Sequence, residues 1–253
     1  MDQTELERSV AAAGIHAPAY FREVTGSTNA WATGHADEGA QEWSVFLVDH
    51  QTAGRGRMGR RWVDHPGGSL LFSFILRPEL PPTAAGLLAL LAGWAMAVAA
   101  SELAGADVRC KWPNDLLMGE RKVGGILAES KTEDGTLDFV VIGIGVNLDP
   151  ANLDGIDGAG HLAALDRGHL LTAFLQRFRE AYRPEGEGFA LDVAERWRER
   201  SSTIGRAVEV VRTDGSRVRG EALDIDRSGA LLVRSPDGHV WVTEGDVEHL
   251  LPG

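Results

Sequence analysis

Cysteine is almost absent from this sequence, whose 253 residues contain a single one, Cys110. No intramolecular disulfide is therefore available, and residues 1–5 lack the basic and apolar regions of a secretory signal. Basic residues are also in deficit, since 25 Lys and Arg against 37 Asp and Glu give a formal net charge of -12. Nucleic-acid binding leaves a basic surface, so this balance disfavours a nucleic-acid partner. We expect a protein of the reducing cytoplasm.

Long apolar runs are also scarce, and the one that could suggest a membrane span is residues 84–100. Its length reaches the lower limit for a transmembrane helix. Alanine and glycine dominate it, however, no basic cluster flanks it, and Thr83 after Pro81 and Pro82 supplies a helix N-cap. We therefore predict a buried core helix and no membrane partner.

The composition is that of a folded protein, with 43% hydrophobic and 25% charged residues. Because 253 residues exceed one average domain, we expect two. Residues 1–26 contain one short helical pattern, formed by Leu6, Val10 and Ala13. That pattern is too little for a helix-turn-helix domain, so we expect no DNA-binding module there.

The next part of the chain combines strand and helix patterns. Short apolar runs joined by glycine-rich loops predict strands within 43–76 and 108–148. Residues 149–168 are rich in Asp, Gly and Ala, which indicates a loop with at most one helical turn. Amphipathic helices are predicted at 170–182 and 189–200.

Beyond residue 204 the pattern changes to short alternating strands. The pairs Asp214-Gly215, Ser228-Gly229 and Asp237-Gly238 separate them and are typical of hairpin turns. We predict an α+β fold with a mixed β-sheet and flanking helices in a catalytic domain, residues 1–203, and a small SH3-like β-barrel in residues 204–253.

Residues 51–62 interleave arginine with glycine inside this acidic chain. Glycine lets the backbone approach a ligand closely, and arginine offers a planar, permanently charged fork suited to phosphate and carboxylate. A solvated basic loop or a nonspecific nucleic-acid patch would have a similar composition. Trp62 and a strand-like run, 70–76, follow the segment and embed it in a fold. It therefore predicts a site for an anionic ligand.

A second segment runs through residues 111–115 and continues from Lys122 to Glu129. Pro113 and the following Asn-Asp pair predict a turn between two strands. Gly124 and Gly125 remove side chains from the next strand, where a flat ligand could lie.

Together with Ser27-Thr28-Asn29 and the run at 143–147, these two segments resemble the biotin protein ligases in motif and in order. The resemblance implies a catalytic domain of the class II aminoacyl-tRNA synthetase and biotin ligase type, followed by an SH3-like domain. It implies that biotin and ATP, with Mg²⁺, form biotinyl-5′-AMP and release pyrophosphate. Biotin would then pass to one lysine of a biotin carboxyl carrier protein or a carboxylase biotinyl domain, such as that of acetyl-CoA carboxylase.

The resemblance also assigns roles to individual residues. The implied biotin contacts are Ser27, Thr28, Asn29, Gln51, Arg55, Gly56, Arg57 and Lys122, with Gly124 and Gly125 in the pocket wall. The implied ATP and adenylate contacts are Arg57, Arg60, Trp62, Lys111 and Asn147, and the implied catalytic residues are Arg57, Lys111, Lys122 and Asp115.

Three of these assignments have alternatives that the sequence leaves open. Trp62 could pack on the ligands or belong to the core. Asp115 could bind metal, help to deprotonate the acceptor lysine, or only cap a turn. Asn147 could contact the nucleotide phosphates or cap the end of a strand.

The sequence departs from the best-known regulatory members at Met58, where they carry another arginine, and in lacking their DNA-binding domain. Both departures favour a monofunctional ligase over a repressor. A lipoate ligase, of related fold, and a noncatalytic biotin-sensing module are the rival interpretations. The arginine-glycine loop favours biotin over lipoate. A monomer and a homodimer are equally compatible with the sequence.

Overall fold

A seven-stranded mixed sheet organises the first two thirds of the chain. The structure is a computed structural model that describes residues 1–153, 156–163 and 165–250. The strand order is β1-β2-β3-β7-β6-β5-β4, in which β1 and β2 are parallel and every other pair is antiparallel. The strands are β1 (Ala19–Thr25), β2 (Val45–Gln51), β3 (Ser69–Leu76), β4 (Val108–Lys111), β5 (Asp115–Met118), β6 (Arg121–Glu133) and β7 (Thr136–Asn147).

Five α-helices accompany this sheet in the described residues, and side-chain caps explain where some begin. Asp2 and Glu5 form a capping box at the first helix, and the Asp166 side chain accepts a hydrogen bond from the His169 backbone at the fourth. The helices are α1 (Gln3–Ala12), α2 (Thr28–Asp37), α3 (Ala85–Ala104), α4 (Arg167–Ala181) and α5 (Phe189–Glu199).

The predicted core helix is confirmed as α3, but Thr83 is not its N-cap, because a 3₁₀ turn, Pro82–Ala84, precedes the helix and Ala84 is the N-cap residue. Helix α3 packs against α4, α5 and β6 and ends at Gly105, which adopts a left-handed conformation. By length and composition the segment Pro82–Ala104 could cross a membrane, but 72% of its most apolar window is buried inside the protein. Helix α2 covers the opposite face of the sheet over a smaller apolar cluster that includes Phe46, Ile75 and Val141. Central strand β3 is therefore buried on both faces.

The loop predicted at 149–168 contains one 3₁₀ turn, Pro150–Leu153, as expected. Residues 154, 155 and 164 of that prediction lie outside the described residues. The predicted helices correspond to α4 and α5, and α4 begins earlier than expected because Asp166 caps it. Helix α2 was not predicted, since its apolar residues are mostly alanine and give little periodicity.

A second, five-stranded antiparallel sheet follows, in the order β11-β10-β9-β8-β12. Three of its strands were predicted, whereas β9 and β12 were missed because charged residues interrupt their apolar alternation. The division at residues 203 and 204 stays a prediction, and its end, residues 251–253, lies outside the described residues. The strands are β8 (Ala207–Val211), β9 (Arg217–Ile225), β10 (Leu231–Ser235), β11 (Gly238–Val242) and β12 (Asp246–His249).

The two sheets contact each other through the turns on either side of β5. The Trp112 indole Nε1 donates to the carbonyl oxygen of Gly229 at 2.9 Å, and the Trp112 backbone N–H donates to Thr203 Oγ1 at 2.9 Å. Arg206 forms an ion pair with Glu120 at 2.9 Å. These contacts fix the turn that carries Lys111 and Asp115 against the C-terminal sheet.

Candidate active site

A cavity of about 110 Å³ opens where α2 begins, β2 ends, and β6 and β7 run side by side. The loop between β2 and β3 covers it, and Asp246 at the start of β12 closes one side. Twelve of the residues assigned from the sequence line this cavity: Ser27, Thr28, Asn29, Gln51, Arg55, Gly56, Arg57, Arg60, Trp62, Asp115, Lys122 and Gly125.

Three other assigned residues lie behind the cavity wall or beside it. Lys111 lines a neighbouring cleft that it shares with β12, and Asp115 lines both the cleft and the cavity. A Cβ on Gly124 would lie 2.9 Å from the Gly145 carbonyl oxygen and 3.0 Å from Leu116, so that face of the strand points into the core. The Asn147 amide donates to the Gly160 carbonyl oxygen at 3.0 Å, which is the geometry of a strand-end cap.

A buried hydrogen-bond network forms the floor of the cavity. Ser73 Oγ lies 2.7 Å from Thr28 Oγ1 and 2.6 Å from Asn29 Oδ1. The Asn29 amide nitrogen donates to the Leu127 carbonyl oxygen at 3.1 Å and to the Glu129 carboxylate at 2.7 Å. Both the nitrogen and the oxygen of the Asn29 side-chain amide are therefore bonded to protein groups.

Gln51 joins this floor from the end of β2. Its side-chain oxygen Oε1 accepts the backbone N–H of Thr28 at 2.8 Å. Ser27 precedes the helix as its N-cap residue, yet its side chain forms no capping hydrogen bond. Its buried hydroxyl thus remains available to a ligand in the cavity.

Glycines on β7 leave room for two of the assigned side chains. A Cβ on Gly143 would lie 1.9 Å from Asn29 Oδ1, and one on Gly145 would lie 2.7 Å from the Trp62 ring. Trp62 also reaches Gly125, whose added Cβ would be 3.5 Å from the indole. The indole Nε1 is buried and has no hydrogen-bond partner among residues 1–153, 156–163 and 165–250. Trp62 therefore covers the glycine surface where the sequence suggested that a flat ligand could lie.

Five basic side chains and two carboxylates line the cavity, and three of the cations, Arg57, Arg60 and Lys122, cluster around those carboxylates at the end opposite the floor. The ammonium of Lys122 lies 2.6 Å from an Asp115 carboxylate oxygen. Asn114 holds that turn to β6, because its amide donates to the Ile126 carbonyl oxygen at 2.8 Å. The basic side chains are Arg55, Arg57, Arg60, Arg61 and Lys122, and the carboxylates are Asp115 and Asp246.

Burial alters two cations at this end. The pKa of Arg57 is lowered mainly by burial, against an opposing effect of Asp115. The pKa of Lys111 is also lowered mainly by burial, while Asp115 raises it and Lys122 lowers it. A half-buried cation is poorly hydrated, so an anion brought close to it gains more than it would at an exposed lysine.

The arginine-glycine loop is tied down by ion pairs at two places. Arg60 contacts Asp246 of the C-terminal sheet, and Arg55 contacts Glu129 at 2.8 Å. Between them, Met58 adopts a left-handed backbone conformation with φ 53°. Such a conformation disfavours most side chains, so the loop is held in shape by its contacts rather than by local preference.

Known proteins are similar to this chain both in sequence and in fold. The profile of the Biotin/lipoate A/B protein ligase family matches residues 21–147. The profile of the Biotin protein ligase C terminal domain matches residues 203–250. The chain belongs to the biotin/lipoate A/B protein ligase family.

Relatives in this family are similar over most of the chain. The bifunctional ligase/repressor BirA of Bacillus subtilis is 32% identical over 237 residues, which cover 90% of this chain and 73% of BirA. The biotin--[acetyl-CoA-carboxylase] ligase of Mycobacterium tuberculosis is 36% identical over 236 residues, covering 89% of this chain and 86% of that protein.

Solved structures of the family share the fold. The biotin protein ligase of Aquifex aeolicus in complex with biotin and ATP superposes with a TM-score of 0.74 at 23% identity, covering 92% of this chain and 98% of that one. The Leishmania major enzyme in complex with biotin gives a TM-score of 0.59 at 25% identity, covering 93% and 98%. The predicted family and the predicted fold class are confirmed.

Sequence reasoning missed several residues of this site. Ser73 is the one hydroxyl inside the apolar run of β3 after its first residue, and that isolation was a usable signal. Glu129 ended the second motif but received no role. Asp64 is buried, accepts from His50 Nδ1 at 2.9 Å and from the Gln51 backbone, and joins the two ends of the arginine-glycine loop. Nothing in the sequence pairs Asp246 with Arg60.

Proposed function

We propose that this chain is a biotin protein ligase, which makes biotinyl-5′-AMP and pyrophosphate from biotin and ATP and then transfers biotin to a lysine of an acceptor protein. The observation that carries the proposal is one cavity with a neutral hydrogen-bonding floor at one end and clustered cations at the other. Its relatives support the substrates, since they are named for biotin, and one solved neighbour holds biotin with ATP.

The neutral end suits the ureido ring of biotin. That ring carries one carbonyl acceptor and two N–H donors, which would be buried here. Ser27, Thr28 and Gln51 offer hydroxyl and amide groups to them, and an unpaired buried group would cost about 1 to 3 kcal/mol. Trp62 would move off Gly125 and Gly145 or pack on the ligand, which gives its buried indole N–H a reason to be unpartnered.

The cationic end suits the first chemical step. A biotin carboxylate oxygen attacks the α-phosphorus of ATP, the bond to the bridging oxygen breaks, and pyrophosphate leaves. Two anions must approach each other, so fixed positive groups are needed where charge develops. We assign this role to Arg57 and Lys122 in the cavity, with Lys111 and Arg60 beside the cleft that receives the phosphates.

The second step transfers the biotinyl group. The neutral amine of the acceptor lysine attacks the carbonyl carbon of the adenylate, AMP leaves, and the amine loses a proton. Asp115 lines the cavity and the cleft on its outer side, next to Lys122. Of the roles considered for Asp115, this position favours one beside the transferring groups. The acceptor would be a biotin carboxyl carrier protein or a carboxylase biotinyl domain, such as that of acetyl-CoA carboxylase.

The described residues do not provide a preformed magnesium site. Residues 1–153, 156–163 and 165–250 contain no group of three or more His, Cys, Asp or Glu side chains that could hold a metal ion. Asp115 is paired with Lys122, and Asp246 with Arg60. We therefore propose that Mg²⁺ arrives on the phosphates of ATP as part of the substrate.

Asn147 and the cell compartment complete the proposal. The Asn147 amide donates to the Gly160 carbonyl oxygen, so we assign this residue first to holding the loop at 156–163. A ligase that uses ATP and an intracellular carboxylase fits the cytoplasm, which we propose as its location.

Biotin-dependent exchange of labelled pyrophosphate into ATP tests the proposal directly. We expect exchange with biotin and none above background with lipoate or octanoate, because a site built around polar partners rejects ligands that lack them. Equal exchange with lipoate would move the chain to the lipoate branch of its family. Exchange with none of the three acids would contradict the proposal.

A further inference from the structure

The oxygen atoms in the floor of the cavity share few hydrogen-bonding protons. The donor and the acceptor of each hydrogen bond can therefore be assigned in turn. The amide of Asn29 is the starting point. Its nitrogen faces the Leu127 carbonyl oxygen and the Glu129 carboxylate, which can only accept. Its oxygen Oδ1 must therefore be the atom that faces Ser73.

The single hydroxyl proton of Ser73 then has one destination. Asn29 Oδ1 at 2.6 Å has no proton to give, so Ser73 donates to it. Thr28 Oγ1 lies 2.7 Å from the same Ser73 oxygen, and one of the two hydroxyls must donate to the other. Because the Ser73 proton is already committed, Thr28 donates to Ser73.

Gln51 is oriented independently. Its Oε1 accepts the Thr28 backbone N–H at 2.8 Å, so the carbonyl and not the amino group faces Thr28. Thr28 Oγ1 is also within hydrogen-bond distance of Gln51 Oε1, at 3.3 Å, but its one proton is taken by the shorter contact with Ser73 at 2.7 Å. Both Thr28 Oγ1 and Gln51 Oε1 therefore present lone pairs. Both residues line the cavity. Two acceptors with no proton between them require a donor from the ligand.

We infer that Ser73 is a specificity-determining positioning residue, which keeps the Thr28 hydroxyl an acceptor toward the cavity and thereby selects a ligand that offers an N–H there. The inference rests on the proposed function, in which that N–H belongs to the ureido ring. Ser73 touches no ligand itself, since it lies fully buried beneath Thr28 and Asn29. Glu129, held by Arg55 at 2.8 Å, anchors the far end of the chain of bonds.

The test compares the binding of biotin with that of its two cyclic carbamate analogues, each with one ring N–H replaced by oxygen. We expect the wild-type chain to prefer biotin over at least one carbamate by about a hundredfold, because oxygen would face two acceptors. Ser73→Ala frees the Thr28 proton to rotate toward the ring oxygen. The preference should then fall by about tenfold or more, measured by calorimetry without ATP.

Ser44→Ala is the matched control, because Ser44 is equally buried but donates to Gln41 away from the cavity, at 2.8 Å. Its preference should equal that of the wild-type chain. A folded Ser73→Ala chain that binds biotin with an unchanged preference would overturn the inference and leave the proposed function intact. If Ser73→Ala does not fold, Ser73→Cys keeps the shape of the side chain, but its sulfur accepts the Thr28 proton only weakly, so an unchanged preference there would overturn the inference equally. Failure of the wild-type chain to bind biotin would instead contradict the proposed function.

Discussion

The two ends of the cavity are built on opposite physical principles. The floor consists of three buried residues, Thr28, Asn29 and Ser73, and the half-buried Gln51, and it is held by short hydrogen bonds between neutral groups with one carboxylate behind them. The cationic end, formed by Arg57, Arg60 and Lys122, lies largely on an exposed loop, which ion pairs tie to Glu129 behind the floor and to Asp246. Strand and helix backbones fix the floor, whereas contacts with other segments fix the loop.

This difference separates recognition from chemistry. Buried hydrogen bonds between neutral groups are little affected by salt, and they favour ligands whose shape and polarity match the site. Exposed ion pairs are weak, and salt weakens them further, so they can open to admit substrate and close again. We expect changes to the floor to alter which acid is accepted and changes to the cationic end to alter rates.

Lys122→Ala should have the largest effect. Removing a fixed charge from the developing phosphate charge should lower adenylate formation by about 100- to 1,000-fold, measured by pyrophosphate exchange. Biotin affinity should change far less if the two ends are independent. Circular dichroism should be unchanged, because Lys122 is 37% exposed.

Lys131→Ala provides the control for that variant. Lys131 lies on the same strand and also pairs with an aspartate, Asp37 at 2.7 Å, but is remote from the cavity. It should exchange pyrophosphate at the normal rate. Normal adenylation by Lys122→Ala itself would show that the chemistry has been placed at the wrong end of the cavity.

Arg57→Gly should separate synthesis of the adenylate from its retention. The change removes one phosphate contact, worth about 1.5 to 3 kcal/mol, so the adenylate should escape roughly ten to a hundred times faster. Escaped biotinyl-5′-AMP reacts with any amine. Incubation with biotin, ATP and an unrelated protein should therefore label that protein more heavily than the parent enzyme does.

Arg227→Gly is its counterpart, because Arg227 is an exposed arginine in a turn of the C-terminal sheet. It should label bystander proteins no more than the parent. If Arg57→Gly makes adenylate and still labels no more than Arg227→Gly, the arginine-glycine loop does not retain the intermediate.

The sequence predicted where the cavity lies and which residue types line it, but not how the residues of its floor are bonded. Motif order located the cavity, and glycine at 125 with arginine at 55–61 indicated its character from the residue types alone. The bonding within the floor was out of reach, because Ser73 and Asn29 are 44 residues apart and only the packing of α2 on β3 brings them together. The same limit hid Asp246, which a separate sheet delivers to Arg60. Local pattern predicts strands and turns, whereas pairing between distant segments depends on tertiary packing.

Titration of His249 should have a smaller effect, on the stability of the fold near the cationic end of the site. His249 lies on β12 beside Glu120, Arg206 and Lys111, and its side chain is 6% exposed. Burial first, and then the charges of Arg206 and Lys111, lower its pKa from 6.5 to about 4. Because protonation is easier in the unfolded chain, this histidine contributes its full stability above pH 6.5 and loses it as the pH falls toward 4. Between pH 7 and pH 5 we expect protonation of His249 to lower the free energy of unfolding by about 1 to 2 kcal/mol, measured by urea unfolding.

His249→Gln should flatten that pH dependence of stability, whereas His239→Gln, at an exposed position on β11, should leave it steep. Equal slopes for the two variants would show that acid weakens the fold through other groups. A normal preference for biotin over the carbamates at pH 5 would show that the floor is unaffected by a titration on the opposite side of the site.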